Sequence, residues 1–265
     1  MNNVSFVLSS CDNYCDLWNP FFTQLKKYWT GFDYDIYLCT ESIKFEYEGL
    51  RIHCPLNVPK SNTWSENLMS LLSEINTEYI IFMLDDFWLK KAVNTEELAE
   101  LLKIFDNDKN MGFLCLLHQP SSTLSSSKDY PMLVEYPRKA RYRITTQVGL
   151  WRKSYLLKIL RNHESAWQFE IYGNKRSRRF PENTYVLSNK TDAIFDYDSG
   201  GVLYRGKFVE EYIEYFEEEE GIKLEKERIR KPKREFKRED RDIKNRIKKY
   251  FTLKFYIDYY KSVIQ

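Results

Sequence analysis

Tyr79-Ile80-Ile81-Phe82-Met83-Leu84 is an unbroken apolar and aromatic run that stops at Asp85-Asp86 and resumes with Phe87-Trp88. A run of this length and composition reads as a strand buried on both faces of a sheet. Adjacent carboxylates can stand only at its end, because an unpaired charge inside an apolar sheet costs on the order of several kcal/mol. Two hard oxygen donors on a rigid strand end suit Mg²⁺ or Mn²⁺, above all where phosphate oxygens complete the octahedron. The plainer alternative is a strand-to-turn junction whose aspartates are simply solvated.

Elements on either side alternate in type. Val4–Ser9 reads as a first strand, followed by a loop to Asp16 and a helix from about Leu17 to Trp29. Tyr34–Cys39 and Leu50–Cys54 read as the next strands. The cluster Ser61-Asn62-Thr63-Trp64-Ser65-Glu66 offers N-caps for a helix to about Ile75. After the aspartate strand come a helix over Glu96–Phe105, a strand over Phe113–Leu117, and a Ser-rich loop over Gln119–Lys128 able to act as a lid. Arg143–Trp151 returns to strand character, Ser154 caps a helix to about Leu160, and a helix start near Glu164 runs only to Ile171 or Tyr172. Such alternation predicts an α/β fold with a mostly parallel sheet. Ligands of these sheets bind beyond the carboxyl ends of the strands, where Ser9-Ser10, Thr40-Glu41 and Asp85-Asp86 converge.

The charge is divided unequally. Residues 222–250 carry 14 Lys and Arg against 6 Asp and Glu, while the whole chain is only +2, so residues 1–221 are net acidic. An acidic body with a basic tail predicts two units, 1–210 and 211–265, the second a charged helical extension. Aromatic residues make up 16% of the chain. Most of these must be core, yet aromatic faces also stack on sugars and bases. The five cysteines are odd in number and lack paired zinc spacing, which predicts reduced thiols in the cytosol. The opening apolar run is too short and lacks the basic flank of a signal peptide, and no window approaches the ~20 apolar residues of a membrane span.

Four pieces in order resemble a nucleotide-sugar-dependent glycosyltransferase of the GT-A fold, similar to bacterial enzymes of capsule and surface-polysaccharide assembly. They are Val4–Asp16, the Trp64 helix, the strand ending Leu84-Asp85-Asp86-Phe87, and Gln147-Val148-Gly149-Leu150-Trp151 followed by Glu164-…-Trp167-Gln168-Phe169-Glu170. The resemblance implies a Rossmann-type α/β/α sandwich over roughly residues 1–210, a nucleotide-diphosphate sugar donor (UDP the first choice), and a glycan or lipid-linked glycan acceptor. The aspartate pair resembles the family's Asp-x-Asp motif in contracted form. It implies Mn²⁺ or Mg²⁺ held by Asp86 with help from Asp85.

An inverting transfer also needs a general base on the acceptor hydroxyl. Glu170, which follows an aromatic segment as in related Trp-rich motifs, is the first candidate and Glu164 the second; a surface or capping role is the alternative for each. Ser9 and Asp12 are candidates for the base or ribose, although Asp12 equally suits an Asx turn. Thr40 at the second strand end, with Trp64 and Asn67, is a candidate for the donor pocket. Trp64 equally suits a helix staple. Arg205 and Lys207 flank Gly206 and are candidates to close over the diphosphate, or else plain solvated cations. His118 reads as a third metal ligand or, more readily, a satisfied buried histidine.

The basic tail mixes Lys248, Lys249, Lys254 and Lys261 with Tyr250-Phe251 and Leu253–Tyr260. Such a mixture suits an in-plane dock at an anionic inner membrane face; a solvated helix or a homo-oligomer contact is the alternative. Two other classes compete with the transferase reading. A metal-dependent nucleotidyltransferase or phosphohydrolase would use the same aspartates, but Ser9–Asp16 contains no phosphate-loop glycine. Nucleic-acid binding through the tail is opposed by its interleaved acids and by the acidic body, so no nucleic-acid partner is expected.

Overall fold

The computed structural model describes residues 3–118, 126–140, 142–236, 257 and 260–264. The expected elements as far as the helix near 96–105 recur, some with narrower ends, as do the strand and helix expected near 113–117 and 154–160. The first seven are β1 (Val4–Ser9), α1 (Trp18–Tyr28), β2 (Ile36–Cys39), β3 (Ile52–His53), α2 (Trp64–Ser73), β4 (Tyr79–Leu84) and α3 (Thr95–Asn107). Then follow β5 (Met111–His118), β6 (Leu133–Glu135), β7 (Gly149–Arg152), α4 (Lys153–Ile159), α5 (Ala166–Gln168), α6 (Asn174–Arg176) and β8 (Asn183–Leu187). A small region of β9 (Leu203–Tyr204), β10 (Lys207–Val209), α7 (Glu210–Glu218) and β11 (Arg230–Lys231) follows.

The main sheet has eight strands in the order β3-β2-β1-β4-β7-β5-β8-β6. β1 pairs in parallel with both β2 and β4, whereas β7 lies antiparallel between β4 and β5 and β6 antiparallel to β8. Chain order therefore reverses direction at β1 and β4, and the carboxyl ends of these two strands open a crevice. β4 is buried on both faces: Ile81 and Met83 join one core cluster, Ile80 and Phe82 the other. One cluster packs α1 and α3 against the sheet and the other packs α2 and α4, which gives three layers.

α2 starts where the sequence signals it. Thr63 Oγ1 accepts from the Glu66 N–H, and the Glu66 side chain accepts from the Thr63 N–H, a reciprocal capping box. Two expectations change. The strand predicted over Arg143–Trp151 is confined to Gly149–Arg152, because Thr145 and Thr146 turn to bond a carboxylate instead. The helix expected to end by Tyr172 continues through a π-helical turn (Phe169–Gly173), α6 and a 3₁₀ turn to Arg179.

Position 210 opens α7 directly after β10, with no intervening linker. The mixed-charge helix expected from Lys223 is absent over 223–232, where Arg230–Lys231 forms β11 alongside β10; residues 233–236 are helical. Arg228 donates to both oxygens of Asp16, and Glu220 accepts from Lys27 and Tyr28, so this segment packs on the body. The final turn, Tyr260–Ile264, is also docked: Ser262 Oγ lies 2.8 Å from His163 Nε2. The basic residues 237–256 and most of the Ser-rich loop, 119–125, lie outside the described residues. No helix among the described residues is long and apolar enough to cross a membrane.

Candidate active site

A cleft of about 750 Å³ opens at the β1/β4 crevice. Its floor is the end of β4. Asp85 is only 6% exposed; its Oδ2 accepts from Ser10 Oγ, which is held in turn by Trp18 Nε1 at 2.7 Å. Trp88 Nε1 donates to the Asp85 carbonyl at 3.0 Å, pinning the turn that ends the strand. Asp86 Oδ1 is buried and has no hydrogen-bond partner among the described residues. Gly201, at φ +72, lets the following loop pass against Asp86: a Cβ there would lie 2.0 Å from Asp86 Oδ2. The Val202 N–H closes the contact on the Asp86 carbonyl at 2.9 Å.

Burial raises the Asp85 carboxyl to about 7, with the Ser10 hydrogen bond and Arg228 pulling against it and Asp16 adding to it. Burial and then the Asp85 charge push Asp86 well above the usual carboxylate range. A buried carboxylate beside a half-buried one whose Oδ1 is itself buried thus calls for protons or a cation. The donor set fits Mg²⁺ or Mn²⁺: hard oxygens, one of them orphaned, with remaining positions open to phosphate and water. Among the described residues no group of three or more Asp, Glu, His or Cys could hold a metal by itself. His118 does not line the aspartate cleft; it lines a neighbouring cavity, with its Nε2 2.6 Å from the Thr191 carbonyl.

Glu170 enters the same cleft from the π-helical turn. Its Oε1 accepts from the Thr146 N–H at 2.7 Å, Thr146 Oγ1 at 2.8 Å and Thr145 Oγ1 at 2.9 Å, which orients the carboxylate. A single widened turn is a frequent device at functional sites, and here it sets Glu170 beside the threonines.

Ser9, Trp64, Asn67 and Arg205 also line the cleft. Trp64 donates to Ser9 Oγ at 2.9 Å and packs on Phe82 and Phe169, so it serves both cleft and core. Arg205 (φ 52) and Gly206 (φ 74) form the two-residue turn between β9 and β10. Two consecutive positive φ values are what a tight hairpin of this twist demands, and they present Arg205 at the rim.

Four sequence candidates lie elsewhere. Asp12 is sequestered under the end of β2, accepting from Ser42 Oγ and from the N–H groups of Glu41, Ser42 and Ile43. Burial opposes its ionisation, but these donors outweigh burial and hold the carboxyl below its usual range. Thr40 is fully buried and bonds the Ile43 carbonyl. Lys207 starts β10 away from the cleft lining. Glu164 is fully buried in a two-pronged ion pair with Arg176, 2.6 and 2.5 Å, and so is a structural residue out of an acceptor's reach.

Sequence reading marked Ser10 and Glu41 only as polar strand ends on the rim, with no role assigned, and passed over the Thr145-Thr146 pair. Glu41 accepts from the Asp12 N–H at 2.5 Å and from Asn67 Nδ2 at 3.3 Å, tying two strand ends to α2. Ser10 and Glu41 were visible as polar strand ends. The threonines gave no signal, because Thr-Thr in an apolar run reads as strand.

No protein-family model matches the chain, and no curated protein matches it in sequence. Among solved structures, residues 1–349 of S. aureus TarS align with a TM-score of 0.48 at 10% identity, over 75% of this chain and 61% of that one. The same protein in complex with UDP-GlcNAc aligns at 0.46 and 11%, over 85% and 68%. CMP:2-keto-3-deoxy-manno-octonic acid synthetase complexed with CTP aligns at 0.43 and 10%, over 71% and 89%. The chain spans about three-fifths of the first of these. Likenesses this distant carry no functional argument. The sheet itself is a mixed, mostly parallel α/β sheet with a β1/β4 crevice and one antiparallel strand between β4 and β5.

Proposed function

We propose that the protein is a glycosyltransferase that moves a sugar from a nucleoside-diphosphate donor, UDP-linked, to an acceptor hydroxyl with inversion. The observation that carries this reading is that the buried Asp85, the half-buried Asp86 beside it and the oriented Glu170 line one cleft at the sheet's switch point.

The donor's base and ribose would lie against Ser9, Trp64 and Asn67. Asn67 Oδ1 is buried and unpartnered among the described residues, an acceptor suited to a base N–H. Asp86, with Asp85, would hold Mn²⁺ or Mg²⁺, which when bound offsets charge on the departing diphosphate. Arg205 at the hairpin tip adds a positive group on that side. Glu170 takes the proton from the acceptor hydroxyl as the new bond forms; its Oε1 bonds to Thr145 and Thr146 hold the carboxylate in place. Burial, then the Asp85 and Glu41 charges, push the nearby Cys11 thiol up to about 11, which disfavours its thiolate.

The acceptor belongs to surface-polysaccharide or lipid-linked glycan assembly in this reading. The basic segment 237–256 would bring the enzyme to an anionic inner membrane face.

Calorimetric titration with UDP, with and without Mn²⁺, tests the donor half. Wild-type protein should bind UDP in a Mn²⁺-dependent way and Asp86→Asn should not, and a nucleotide-sugar panel should reveal slow donor hydrolysis. Wild-type-like binding by Asp86→Asn would refute the metal assignment. Pyrophosphate release from a nucleoside triphosphate, without donor hydrolysis, would replace the transferase by a nucleotidyltransferase.

A further inference from the structure

A second cavity, of about 440 Å³, shares Gln147, Glu170 and Ser199 with the donor cleft as a common wall. The wall is built: Gln147 Nε2 donates to the Ser199 carbonyl at 3.1 Å, and Tyr197 Oη donates to Gln147 Oε1 at 3.1 Å. Thr146 lines the cleft and its neighbour Thr145 the second cavity, both bonded to Glu170. The general base therefore borders both spaces.

The second cavity is walled by Tyr136, Tyr142 and Tyr185. Tyr142 is 57% exposed and sits at φ 58, a left-handed backbone rarely taken by a bulky residue. Strain of this kind gathers at ligand clamps. The charged and titratable groups here are already engaged: Glu170 Oε1 is held by Thr145 and Thr146, and His118 Nε2 lies 2.6 Å from the Thr191 carbonyl. Arg143 is almost fully buried, with Nη1 and Nη2 given to the carbonyls of Tyr136 and Glu182. Burial raises the Cys115 thiol to about 11, so it stays neutral. Aromatic walls with hydroxyl and amide groups, their charged groups already engaged, suit an uncharged, hydroxyl-rich ring.

We infer that this cavity is the acceptor subsite and that it takes a neutral pyranose stacked on Tyr142, with the hydroxyl to be glycosylated turned toward Glu170. The word acceptor rests on the glycosyltransferase reading; the pyranose site itself does not.

Saturation-transfer NMR with a panel of p-nitrophenyl pyranosides on the full chain tests it, with UDP and Mn²⁺ titrated into the wild type in parallel. Tyr142→Gly is the informative variant, because glycine accepts φ 58 and removes the ring without new strain. At least one pyranoside should bind the wild type, weaken tenfold or more in Tyr142→Gly, and be retained by Tyr142→Phe, with unchanged thermal midpoints. Pyranoside binding at Tyr142 without UDP binding keeps this site and sinks the donor reading. UDP binding with no pyranoside contact, or pyranoside binding indifferent to Tyr142→Gly, overturns the subsite and leaves the donor reading standing.

Discussion

Glu164 and Glu170 are six positions apart and were second and first candidates for one role, yet their surroundings differ: one is buried against Arg176, the other faces the cleft. Glu170→Gln keeps an oxygen for Thr145 and Thr146, so UDP binding should persist while transfer falls about 10²-fold or more. Glu164→Gln instead leaves the buried Arg176 guanidinium without its countercharge. Breaking such a pair costs about 3–5 kcal/mol, to be read as a lowered unfolding midpoint. A catalytic defect in Glu164→Gln at unchanged stability would reverse the assignment. Asp85 gives the site a pH signature. Its carboxyl ionises near 7 when folded but near the ordinary 3.8 when unfolded, so between these values the folded state binds the extra proton. Metal-free stability should therefore fall as pH rises from about 4 to 7. Urea denaturation across that range measures the slope, and Asp85→Asn should flatten it. Mn²⁺, which competes with the proton, should bind more weakly below pH 7.

Among the elements, the loop from Asp198 to Val202 governs the aspartate pair. Gly201→Ala would set a methyl 2.0 Å from Asp86 Oδ2 at a backbone angle that favours glycine. Asp86 must move, because β4 beneath it is locked between two strands. The expected outcome is loss of Mn²⁺-dependent UDP affinity in a protein that still folds; wild-type affinity would show that Asp86 Oδ2 is not needed where it stands. The same register explains why Ser10 reaches Asp85: Ser9 pairs with Leu84 across β1 and β4, bringing the next residues of both strands side by side.

For the whole molecule, the basic C-terminal portion divides in two. Residues 222–236 are stitched to the body through Arg228–Asp16 and β11, so deleting 222–265 should lower the unfolding midpoint and disturb the turn carrying Tyr14 at the cleft. Residues 237–265 carry nine Lys and Arg against four Asp and Glu. Deleting all of these also removes the docked turn Tyr260–Ile264 and should lower the unfolding midpoint, whereas neutralising the Lys and Arg of 237–256 alone should spare donor hydrolysis and abolish binding to anionic vesicles. Vesicle binding by the full chain should weaken with salt, since such attraction is screened within ~8 Å at physiological ionic strength. Equal vesicle binding with and without the charges of 237–256 would end the docking idea.

Local pattern was enough to read β1, α2 and β4, because burial on both faces, a capping box and an abrupt switch to carboxylates are written in neighbouring residues. It was also enough to mark the convergent rim of Ser9-Ser10, Glu41 and Asp85-Asp86, since parallel strands put their carboxyl ends on one edge. It could not separate Glu164 from Glu170, because that depends on Arg176 reaching one and Thr145-Thr146 the other across a helical turn of unusual pitch. Nor could it show that Asp12 is consumed beneath β2, that Gly201 presses on Asp86, or that Glu170 borders a second, tyrosine-walled cavity. Those facts depend on distances between segments far apart in the chain, which packing alone decides.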